Sequence, residues 1–157
     1  LADYQQHGVF AGLEFQRSVE RAMFGAGDGS QRAPAIRLTD LSRQKPPANL
    51  AETSYIPGLY SAPLYDLLPP SIYQRLQRGV RVFGKKMKGY YPAEANVIGT
   101  ESRTSSPLRI PRDGQTLMHE EVAGLFPCGG GAGYAGGIIS AAMDGQNVAR
   151  AVARFYD

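Results

Sequence analysis

The sequence has 157 residues, 43% hydrophobic and 20% charged, which suits a globular chain long enough to bury a core. No stretch offers the roughly 18 consecutive apolar residues of a membrane span, and a net charge of +3 is too small to imply nucleic acid. Cys128 is the only cysteine, which excludes an internal disulfide framework and a multi-cysteine zinc site and fits a reducing, cytoplasmic location. Neither a membrane nor a nucleic acid is therefore expected as a partner.

The chain opens on Leu1-Ala2-Asp3 where an initiator methionine would stand, and no basic and apolar leader of a signal peptide follows, so it reads as a piece of a longer protein. Residues 9–24 form the first predicted helix. Ala11, Phe15, Val19 and Ala22 recur at three- and four-residue spacing, and Gly25-Ala26-Gly27-Asp28-Gly29 stops it. Ala35-Ile36-Arg37-Leu38 is a short strand. Residues 45–63 form an ordered loop held by Tyr55, Ile56, Leu59 and Tyr60. The strongest helical pattern runs from Asp66 to Met87, with Pro70 suited to the first turn. Ile72, Leu76, Val80, Phe83 and Met87 make its buried stripe, and five cations lie mostly off it.

Residues 95–100 and 108–110 read as short strands around Glu101–Pro107. Gly124–Cys128 is a short buried strand that runs into Gly129-Gly130-Gly131-Ala132-Gly133-Tyr134-Ala135-Gly136-Gly137. A final helix over about 137–155 packs through Ile138, Ala142, Ala149, Val152 and Ala153. The fold class is α+β, with mixed short strands and about three main helices.

A glycine run between a strand and a helix lets a ligand approach the backbone and meet the free N–H groups of the helix start. Close helix–strand packing without a ligand explains the same glycines. Gly131-x-Gly133-x-x-Gly136 matches the dinucleotide fingerprint in letters, yet no second strand follows it, so the turn is not the opening of a Rossmann domain. Arg103, Thr104, Ser105, Ser106 and Arg109 can orient an anionic substrate, or their hydroxyls can satisfy a turn. Cys128 reads as a buried strand cysteine without a resolving partner. His7 and His119 have no metal-ligand spacing.

The run Gly124-Leu-Phe-Pro-Cys-Gly-Gly-Gly-Ala-Gly-Tyr-Ala-Gly-Gly-Ile-Ile-Ser-Ala-Ala-Met-Asp-Gly145 resembles the carboxyl-terminal flavin motif of bacterial FAD-dependent dehydrogenases, the NAD(FAD)-utilizing dehydrogenases. The segments Ala11–Arg17, Leu67–Pro70 and Glu101–Ile110 agree with it in order. The resemblance implies that residues 1–93 are cap or substrate-domain elements and 94–157 a flavin-adjacent segment. The amino-terminal FAD-binding half is then the missing partner.

It also implies FAD as cofactor of the parent protein, without tight binding or activity in this piece alone, and NAD(P)H as an electron partner. Gly129, Gly130, Gly131, Gly133, Tyr134, Ala135, Gly136 and Gly137 would lie at the cofactor. The N–H groups near residues 135–137 would face the flavin O2, where reduction places negative charge. Arg103, Thr104, Ser105, Ser106 and Arg109 would meet an unknown small-molecule substrate. Members of that family typically carry an acidic residue where this chain has Gly130. A binding domain that keeps the fold without flavin is the alternative reading.

Overall fold

The computed structural model describes residues 2–47 and 49–157. They divide into two compact units, Arg17–Thr100 and a second made of Leu1–Gln16 with Glu101–Asp157. The fold is α+β, and its three long helices are those the apolar spacing predicts: α1 (Ala11–Gly25), α4 (Pro70–Lys86) and α5 (Ile138–Tyr156).

Unit Arg17–Thr100 is built on a three-stranded sheet. Its central strand β1 (Ala33–Arg37) is followed at once by the short helix α2 (Leu38–Arg43). This helix begins the return that lets β2 (Leu59–Ser61) pair parallel to β1, with Ala33 opposite Leu59. On the other edge β3 (Asn96–Ile98) runs antiparallel, with Ile36 opposite Val97. Ile36, Met23, Leu41, Ala62, Leu64 and Tyr73 form the core, and Ile36 is fully buried. The non-glycine left-handed backbone at Gln44 (φ 52°) closes α2, its N–H reaching Leu41 O. A further short helix, α3 (Leu64–Leu67), precedes α4.

Several expectations for this unit change. Leu38 starts a helix instead of ending the strand. The segment 45–63 contains β2, because Leu59 and Tyr60 find a ladder partner that no local pattern reveals. Tyr55 and Ile56 do not anchor it; both are exposed. Pro69 and Pro70 divide the helix predicted from Asp66 into α3 and α4, and Pro70 takes the first-turn place that suits a residue without an N–H. The stripe Ile72, Leu76, Val80, Phe83 and Met87 is not the buried face of α4. Tyr73 is the buried residue of this helix, and its hydroxyl donates to Leu41 O at 2.9 Å.

In the other unit, α5 is the long element and 101–137 is turns, bends and irregular chain. Residues 108–110 and 124–128 are not strands. A strand exists only by pairing, and no described residue forms a ladder with either. The packed face of α5 is also rotated from the expected one. Val148 and Ala151 are buried, whereas Ile138, Ala142, Ala149 and Ala153 are exposed. The small residues of this helix are nearly equivalent all round, so spacing alone does not select a face. Phe126 meets Phe155 edge-on at 5.7 Å and fixes the carboxyl end of α5. Near the start of α1, a Cβ on Gly12 would come within 2.8 Å of Pro107, so glycine permits that close approach. No helix among the described residues is long and apolar enough to cross a membrane.

Candidate functional site

The turn between Gly124 and α5 is held by its own backbone. Gly133 N–H donates to Gly130 O and Tyr134 N–H to Gly129 O, both at 3.0 Å. Gly129 (φ 72°) and Gly133 (φ 85°) adopt the left-handed conformation that side chains disfavour. The segment 108–112 lies along this turn. Ile110 N–H donates to Ala132 O at 3.1 Å, Arg109 Nε to Gly133 O at 3.1 Å, and the Tyr134 hydroxyl to Ile110 O at 2.9 Å.

An open cleft of about 290 Å³ results, lined by Ser105, Ser106, Arg109, Gly133, Tyr134, Ala135 and Gly136. It brings part of the predicted substrate group together with part of the predicted cofactor group. Arg103 and Thr104 are not in its lining, nor are Gly129, Gly130, Gly131 and Gly137. Gly137 instead caps α5: its N–H donates to the Ser140 hydroxyl at 3.1 Å, and that hydroxyl donates back to Gly137 O at 2.9 Å. The Cβ of a residue at Gly136 would meet only Ser105 Oγ, at 3.8 Å, so this glycine leaves the cleft open.

Beneath the cleft lies a pair that the sequence pattern does not reveal. Arg112 makes a two-pronged ion pair with Asp144 of α5, at 2.6 and 3.1 Å, and donates to Pro127 O at 2.7 Å. The guanidinium sits 3.6 Å from the centre of the Tyr134 ring, and Arg109 lies over the same ring at 4.9 Å. Asp144 also accepts the Gly129 N–H at 2.8 Å. Both charged side chains are nearly buried. The carboxylate of this turn therefore comes from α5 and not from position 130. The Arg112 hydrogen bond holds the Asp144 carboxyl below its ordinary range, against the opposing effect of burial. The one sequence signal was a lone carboxylate inside a helix of small residues.

Cys128 is exposed, not a buried strand residue, because the segment before it has no strand neighbour. Reduced contact of its sulfur with water, then the Asp144 charge, raise its thiol pKa above the ordinary value. Alkylation by iodoacetamide at neutral pH is therefore expected to run slower in the folded protein than in urea-unfolded chain. Mass spectrometry of timed samples measures this, and equal rates would contradict it. His119 takes a turn role, its Nδ1 accepting the N–H groups of Glu121 and Val122 at 3.1 and 3.2 Å. The described residues contain no group of three metal-ligating side chains.

A family model described as "FAD-dependent protein, C-terminal domain-like" matches residues 2–104. The sequence is also 38% identical, over 99% of this chain, to a protein of Clostridium beijerinckii described as an uncharacterized protein. The chain spans 29% of that relative's length. The family match takes in all of unit Arg17–Thr100 and stops just before the cleft residues at 105–109. Because it covers more than half of the sequence, the chain belongs to this family of FAD-dependent proteins, as a C-terminal domain-like member.

Proposed function

We propose that the chain supplies the flavin-ring side of the cofactor site, and part of the substrate pocket, in an FAD-dependent oxidoreductase of the dehydrogenase type. The observation that carries this reading is the cleft, where Ser105, Ser106 and Arg109 face the backbone of residues 133–136. Its donors are two hydroxyls, guanidinium N–H groups and main chain, with no carboxylate in the lining. Such a set suits an electron-rich carbonyl edge or an anion. Its volume lies near the lower end of small-molecule clefts. The residues thus fit one edge of a flavin ring, with Gly136 as the open face.

FAD, when bound, supplies the hydride or electron chemistry. The contribution of this chain is positional. Residues 133–136 shape the wall, Arg109 places positive charge beside it, and the Arg112–Asp144 pair fixes the turn beneath. Ser105 and Ser106 are hydroxyl donors for a substrate oxygen. Residues 1–93 as cap elements, the missing amino-terminal half as partner, and NAD(P)H as electron partner belong to the same proposal and rest on the family resemblance.

Gly136→Val in the full-length protein is the test. The backbone at Gly136 lies outside the left-handed region and a Cβ there meets nothing closer than 3.8 Å, so the variant should fold. Its branched side chain would project into the cleft. FAD affinity of the apoprotein should fall about fivefold or more, as for a roughly 1–3 kcal/mol steric cost, and flavin content after purification should fall with it. Full flavin occupancy in a folded variant would remove the support. A binding domain without flavin is favoured by one observation, the glycine at position 130. A full-length protein without flavin absorption and indifferent to added FAD would establish that reading instead.

A further inference from the structure

The segment 70–93 carries Arg75, Arg78, Arg81, Lys85, Lys86 and Lys88 and contains no Asp or Glu. One face of α4 is docked on its own unit. Tyr73 and Gln77 bond to Leu41 O and Ser42 O at 2.9 and 2.8 Å, Arg81 reaches the same Ser42 carbonyl, and Gly84 packs against Tyr91. A second face is open. Leu76 and Phe83, seven residues apart, share one line along the helix and are 42% and 47% exposed, and Met87, just past the helix end, is 50% exposed. Tyr90 rests against Phe83 with ring centres 5.4 Å apart and extends the strip. Arg75 and Lys86, eleven apart, line its flank.

We propose that this face of α4 binds an anionic lipid surface, lying in the headgroup plane. The combination of features decides the occupant. A run of cations without a carboxylate attracts phosphate-bearing surfaces. Nucleic acid would use the cations and leave Leu76, Phe83 and Met87 in water. An anionic bilayer satisfies both, since the aliphatic and aromatic side chains enter the acyl boundary while arginine and lysine reach up to the headgroups. The docked Tyr73–Gln77–Gly84 face keeps the helix in place, so no unfolding is required. A span is not needed for this contact, and the lack of a spanning helix does not bear on it.

The experiment is co-sedimentation of the full-length protein with vesicles of mixed phosphatidylglycerol and phosphatidylcholine, and with phosphatidylcholine alone. Binding is expected only to the anionic vesicles and should weaken as salt rises. Arg75→Gln with Lys86→Gln should lower the partition coefficient about fivefold for each cation removed. Phe83→Ser should lower it about tenfold. No partition onto anionic vesicles would overturn the proposal, as would partition indifferent to these variants. So would tighter binding to a single-stranded oligonucleotide that is lost in the charge variants and kept in Phe83→Ser. Thermal denaturation gives the remaining check. An unchanged melting temperature in Phe83→Ser agrees with a solvent-facing strip, whereas a marked drop would mean that the strip is covered within the full-length protein.

Discussion

Gly133→Ala is expected to destabilise the chain by about 3–5 kcal/mol, far more than alanine at the neighbouring glycines. Two costs add. The backbone at Gly133 has φ 85°, where an L side chain is strained by about 1 kcal/mol or more. A Cβ there would also stand 2.5 Å from Leu108 O and 2.9 Å from Arg109 Cα. Those are main-chain atoms, so relief requires the 108–110 segment to move. Moving it would break the Ile110–Ala132 and Arg109–Gly133 hydrogen bonds that lay it along the turn. Gly129 has a positive φ of 72° with open space around it, so Gly129→Ala should cost about 1 kcal/mol. Gly131 has neither a positive φ nor a neighbour within 4 Å, so Gly131→Ala should be close to neutral. Urea denaturation of the three variants measures the series through the shift in midpoint at constant slope. Gly133→Ala within 0.5 kcal/mol of Gly131→Ala would refute the packing argument.

That series shows what a glycine run conceals. From the letters alone, every glycine of 129–137 serves ligand approach or close packing alike. In the structure the duties are divided: Gly133 makes room for backbone, Gly129 turns the chain, Gly137 caps α5, and Gly136 borders the cleft. Helices were legible because local spacing and proline placement determine them, as Pro70 shows in α4. Their buried faces were less so. The strip through Leu76 and Phe83 has the spacing of a core stripe, yet the face through Tyr73 and Gln77 docks, because its polar tips reach the carbonyls that end α2. Strands were least legible. β2 has three residues and exists because β1 lies beside it, whereas 124–128 has strand-like residues and no described neighbour. The two sides of the cleft come from separate blocks of sequence, 105–109 and 133–136. The ion pair beneath it joins residues 32 apart, and no local pattern carries that information.

Arg112→Ala is expected to cost about 2–3 kcal/mol, between the small value of a surface pair and the larger one of a fully buried pair. Asp144 would be left nearly buried with the Gly129 N–H as its main-chain donor and no guanidinium partner, Pro127 O would lose its donor, and the Tyr134 ring would lose the nearer of its two cations. Arg112→Lys should recover less than half of the loss. A lysine keeps the charge but has no planar fork for the two Asp144 oxygens and no flat surface to stack on Tyr134. Replacing both partners, as Arg112→Met with Asp144→Leu, should cost less than Arg112→Ala alone, because no uncompensated charge remains. The pair also gives stability a defined dependence on pH. The Asp144 carboxyl is held below its ordinary value in the folded state, chiefly by the Arg112 hydrogen bond. Its stabilisation is therefore fully present above the unfolded carboxylate pKa, near 3.8, and is lost as pH falls through the lower folded value. Chemical denaturation of wild type and Arg112→Ala across acidic pH should show the difference between them shrinking below that unfolded value. A difference that stays constant down to the lowest pH at which both fold would show that the effect comes from lost packing of Arg112 on Tyr134 and not from the ion pair.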